Sequence, residues 1–85
     1  VTAVLDLVLD LRAEALFASD LQPSQHPSTR QVWDVVHATV VQHGEVWCTA
    51  LVAQEFGEHP DCACRRMQWA RQAVQAAFAT EETSG

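Results

Sequence analysis

The sequence predicts an all-α fold, a single four-helix domain, and three observations lead there. Apolar residues recur at helical spacing in four successive segments. The segments are separated by strong punctuation: Pro23 and Pro27, then Gly44, then Gly57 with Pro60. Eighty-five residues, 48% of them hydrophobic, suffice for one core and not for two.

The first helix is expected over residues 3–19. Asp6, Asp10 and Glu14 form one polar stripe on its wheel, and apolar residues cover more than half of the circumference. Leu5, Leu7, Leu9 and Leu11 also alternate with Asp6, Val8 and Asp10, as in a strand. The continuation Arg12-Ala-Glu-Ala-Leu-Phe favours the helix. A loop with Pro23 and Pro27 follows. Ser28, with Gln31 three residues on, is a capping box opening a second helix over 29–43, where Val32, Trp33, Val36 and Val40 share a face. Gly44 is expected as its C′ residue. A hairpin across His43-Gly44, pairing Val40-Val41 with Val46-Trp47, is the rival reading. A third helix is expected over 45–56, stopped by Gly57 in a left-handed conformation. Pro60 suits the first turn of a fourth helix over 60–80, with Asp61 favourable at its positive end. Ala63, Met67, Ala70, Val74 and Phe78 form its buried stripe. The polar tail, 81–85, is expected to fray.

The net charge of −6 is unevenly spread. Residues 1–58 hold two arginines against eight carboxylates, whereas 59–79 hold three arginines against Asp61 alone. An acidic whole argues against broad nucleic-acid binding, but the basic fourth helix leaves a narrow contact open. The segment 1–11 is broken by Asp6 and Asp10 and has no basic flank, so neither a signal peptide nor a membrane span is expected. Three cysteines, Cys48, Cys62 and Cys64, do not make a disulfide framework; reduced thiols suit a cytoplasmic location, and at least one should be a small buried hydrophobe.

Residues 52–74, VAQEFGEHPDCACRRMQWARQAV, resemble a helix-turn-helix, most closely that of the promoter-reading C-terminal domain of alternative sigma factors. Ala53 stands at the small-residue crossing point, flanked by Val52 and Phe56, and Gly57 falls at the turn. Cys62-Ala63, Arg66-Met67 and Ala70-Arg71 match the family's Thr-Val, Arg-Leu and Ala-Arg. Glu58, Asp61 and Cys64 depart from the pattern. The stretches LFASDLQPS and VAQEFGEHP resemble small helical proteins of actinobacterial type, which bring no established function with them. The helix-turn-helix resemblance, covering about a quarter of the chain, implies a corner of that kind between the third and fourth helices. It implies a small regulatory or adaptor protein touching DNA or a transcription-machinery protein. Cys62, Arg65, Arg66 and Gln68 would face outward, Arg and Gln suiting base edges and Arg71 a phosphate. The alternative is a protein–protein interaction module without nucleic-acid contact.

No nucleophile–base pair stands out, so neither an enzyme nor a cofactor is expected. His59 and Cys62 lie one helical turn apart and could share an ion with Cys48 or His43. Cys62 and Cys64, however, are about 200° apart on a helix, and no common zinc spacing is present, so no metal centre is expected. Trp33, Trp47 and Trp69 are expected to meet in the core. The broad apolar arc of the first helix exceeds what one neighbour needs. A homodimer through Leu5, Leu9 and Leu16 would cover the surplus; a fold-back of the following loop, anchored by Phe17 and Leu21, is the alternative.

Overall fold

The computed structural model describes the backbone of residues 2–83 and the side chains of residues 8–79. Four helices make an all-α domain: α1 (Thr2–Ala18), α2 (Thr29–His43), α3 (Glu45–Glu58) and α4 (Pro60–Thr83), with one 3₁₀ turn at Pro23–Gln25. No strand occurs among the described residues, so both strand readings fall away. The tail does not begin at 81: α4 continues to Thr83, and residues 84 and 85 lie outside the described part.

α1 is the central element and packs on all three other helices. Its apolar residues run most of the way round, which is the pattern of a helix surrounded by protein. Ala13, Ala15, Leu16 and Phe17 are all buried, four positions within one turn and a half. The two alanines let neighbouring backbones approach closely. Val32 and Val36 of α2, Cys48 and Val52 of α3, and Ala63, Ala70, Val74 and Phe78 of α4 complete the core. Met67 packs against it partly buried, so the stripe expected on α4 is the one the fold uses.

Local chemistry sets the ends. The Ser28 hydroxyl accepts from Gln31 N–H at 3.1 Å, and Gln31 Oε1 accepts from Ser28 N–H at 2.8 Å, which is the expected capping box. Gly44 ends α2 by donating its N–H to Val40 C=O at 2.9 Å and starts α3 at once. Its φ of 83° and ψ of 164° lie in a region that essentially only glycine occupies. Pro60 opens α4, where the missing N–H costs nothing.

The turn expected at Gly57 is displaced. Gly57 lies inside α3 and has no positive φ; the helix runs on to Glu58 and the chain turns at His59, with φ −138° and ψ 67°. Glycine lowers helix propensity by only about 1 kcal/mol, which packing elsewhere on α3 outweighs. Ala53, expected at a close helix crossing, is exposed, because α3 turns Cys48 and Val52 inward instead. The joint between α3 and α4 is a single residue.

The loop 19–28 folds back on the core. Phe17 is buried and Leu21 packs against the cluster, as the fold-back reading requires. The tryptophans do not meet. Trp33 lies beside His37 and Phe78 at centroid distances of 4.0 and 6.2 Å, Trp47 stacks on His43 at 3.9 Å, and Trp69 flanks Arg66. Each is placed at the edge of the core, where a large ring can cover it without filling its centre.

Candidate functional site

The five side chains expected to read DNA divide into two groups. Cys62, Arg65 and Gln68 are exposed on the outer face of α4, with an Arg65 Nη2 contact to Cys62 Sγ at 3.9 Å. Arg66 and Arg71 point elsewhere. The Arg66 guanidinium donates to the carbonyls of Phe17 (2.9 Å), Ser19 (2.9 Å), Leu21 (2.9 Å) and Leu16 (3.4 Å), and to Gln22 Oε1 (3.4 Å). It also lies over the rings of Phe17 and Trp69 at 5.6 and 5.2 Å.

This is a helix cap supplied from a distance. Leu16 and Phe17 belong to the last turn of α1, and Ser19 and Leu21 to the loop after it. Leu16 C=O also accepts from Ser19 N–H at 3.1 Å and Ser19 Oγ at 2.6 Å, and a planar fork of five donors suits several such acceptors at once. The cation also meets the negative end of the α1 dipole. Burial pushes the guanidinium pKa down, and Asp20 pulls it back up. Arg71 pairs with Asp10, a member of the α1 polar stripe, and Glu14 of the same stripe accepts from Thr49 Oγ1 at 2.9 Å. The stripe therefore ties α1 to α4 and to α3. Of the three arginines that make α4 locally basic, two are engaged within the fold.

The expected dimer residues are also spent inside. Leu16 has no exposed surface, and Leu9 packs against the core, because α1 lies between three helices instead of at the edge of the bundle. The side chain of Leu5 lies outside the described residues. Leu16 could not meet a second copy without opening the domain, whereas Leu9 is half-buried.

Trp33 and Phe56 are partly exposed, but the most exposed apolar side chains lie at the α2–α3 corner, where sequence periodicity gave no reason to look. α2 and α3 each pack on α1 more than on one another, so their outer faces diverge from Gly44. Val41 and Val46 flank that glycine and are 86% and 85% exposed; Trp47 is 39% exposed on its His43 platform. A groove of about 300 Å³ begins at Val41 and runs between α1 and α2 past Val8, Leu11, Val36 and Val40, with Arg12, His37 and Glu45 on its rim. On the other side, Trp47 and His43 border a more polar cleft of about 380 Å³ with Thr39, Gln42, Ser19 and Asp20. The signal available in the sequence was the isolated pair of valines around a glycine, which also reads as a hairpin.

The thiols sort by environment. Cys48 is buried, and burial first, with Glu14 and Glu45 behind it, pushes its pKa up. It is the small buried hydrophobe expected among the three. Cys62 and Cys64 are free and exposed. Among the described residues no helix is long and apolar enough to cross a membrane.

No family model, characterised protein or solved structure matches this chain significantly, so its functional reading rests on its own residues.

Proposed function

We propose that this protein is a small helical interaction module that binds another protein through the α2–α3 corner, without nucleic-acid contact. One observation carries the reading: two of the three arginines of α4 are engaged on α1, and the two most exposed large apolar side chains, Val41 and Val46, stand together at one corner. Arg66 and Arg71 are engaged on α1, leaving Arg65 on α4 beside Asp61 of the same helix. That is too little positive charge to neutralise more than one or two phosphates. Val41, Val46 and Trp47, by contrast, stand in solvent next to an apolar groove. Well-packed interfaces are built from an apolar or aromatic centre with a polar rim, and Arg12, His37 and Glu45 supply such a rim. The complementary partner presents a short apolar ridge, such as one face of an amphipathic helix.

The test is a photo-crosslinking residue placed at Val46 and, as a control, at Gln72 on the exposed side of α4, in the cell of origin. A discrete adduct at 46 that Val41→Glu abolishes, and that 72 does not give, is the expected result. Equal adducts at both positions would overturn the reading. So would salt-sensitive duplex DNA binding lost on Arg65→Ala.

A further inference from the structure

We propose that Glu55, Glu58 and His59, at the joint between α3 and α4, form a binding site for a divalent transition-metal ion, zinc foremost. The three side chains each offer a ligand atom, and these atoms lie within 4.8 Å of one another. Their spacing explains the convergence. Residues one helical turn apart share a face, so Glu55 meets Glu58 and His59 as i, i+3 and i+4. Gln54 Nε2 donates to Glu58 Oε1 at 3.2 Å and so orients that carboxylate, as outer-shell partners of metal ligands do. His59 is anchored through its backbone, donating its N–H to Glu55 C=O at 2.7 Å.

A second observation points to a cation independently of the distances. The last turn of α3 holds two carboxylates and no basic residue. A helix C-terminus carries partial negative charge, so this is the end where carboxylates are disfavoured, and two of them one turn apart repel each other as well. Neither Glu55 nor Glu58 has an ion pair with an arginine among the described residues. Asp61 sits at the positive end of α4 and Arg66 serves the negative end of α1, whereas the last turn of α4, like that of α3, carries two glutamates and no basic residue. At the end of α3, unlike that of α4, an imidazole stands beside the two carboxylates, and local rules are typically broken at sites with a task.

Two carboxylate oxygens and one imidazole nitrogen suit zinc, with water completing a tetrahedral set, and suit cobalt or manganese less selectively. The ion would offset both repulsions. Because His59 is the joint itself, the ion would also tie that residue back to α3 and fix the direction in which α4 leaves.

The experiment is calorimetric titration of the intact protein with zinc chloride, paired with thermal unfolding at each concentration. The site predicts one ion per chain, a dissociation constant in the micromolar range and a melting temperature that rises with zinc. Glu58→Gln and His59→Asn, both exposed positions, should each weaken binding by about tenfold or more while leaving the zinc-free melting temperature within a few degrees. The double variant Cys62→Ser, Cys64→Ser should bind as the wild type does. No heat and no thermal shift at millimolar zinc would overturn the proposal. Affinity unchanged in His59→Asn, or lost in the cysteine double variant, would do the same.

Discussion

The domain turns twice on a single residue, at Gly44 and at His59, and the two corners are held by different means. The first is held by the backbone. Gly44 adopts a conformation closed to other residues, and α2 and α3 need no close mutual packing to keep their angle. The second needs no special conformation, since His59 has a negative φ and Gly57 is merely helical. It is held by side chains that reach across the fold, with Arg66 on the end of α1 and Arg71 on Asp10. A corner fixed by its own backbone leaves its side chains uncommitted, which is why Val41, Val46 and Trp47 can face solvent. A corner fixed by side chains consumes them, which is why a locally basic α4 presents little basic surface.

Substitutions at three positions separate these mechanisms. The largest effect is expected for Arg66→Ala, which removes the donor to the Phe17, Ser19 and Leu21 carbonyls; about 2–3 kcal/mol of stability should be lost in urea unfolding. Arg66→Lys should recover only part, because an ammonium cannot span the same fork of acceptors. If both variants match the wild type, the clasp does not hold the second corner. Gly44→Ala comes next, with a loss of about 1–3 kcal/mol from backbone strain alone. A Cβ there would meet nothing within 4 Å, so crowding makes no contribution and the measured value reads the conformation directly. The smallest effect has the opposite sign. Gly57→Ala should stabilise by about 0.5–1 kcal/mol, because alanine is the better helix former and its Cβ would again meet nothing. A loss at Gly57 would mean that the chain turns there after all.

That pair of glycines also marks how far the sequence could be read. Features with a local cause were legible: the Ser28–Gln31 box, Pro60 at the start of α4, Gly44 at the end of α2, and the buried stripe from Ala63 to Phe78. Gly57 was not, because a glycine near an expected helix end is ambiguous and packing decides whether the helix stops. Arg66 was not, because its partners are 44–50 residues away and nothing in its neighbourhood announces them. Beside Arg65, it carries the pattern of a recognition helix as well as that of a cap. The surplus of apolar residues on α1 was visible, but its use was misplaced. Central burial absorbs Leu9 and Leu16, and the exposed valines lie on the helices that surround them. The joint cluster was half visible: His59 stands in sequence within about one helical turn of Cys62 as well as of the two glutamates before it, and only the fold shows which of them share its side.

The Arg66 clasp has a consequence for how the chain acquires its structure during synthesis. The first helix is complete as a segment long before residue 66 leaves the ribosome, and Ser19 serves the Leu16 carbonyl at once, yet the carbonyls of Phe17, Ser19 and Leu21 wait for that guanidinium. Until then water must serve them, and the apolar belt of α1 has at most α2 and α3 to cover it. The native end of the first helix is thus decided by a residue made late. The amino-terminal two-thirds should not persist as an intermediate with a fixed structure, and the domain should gain order in one concerted step after the fourth helix emerges.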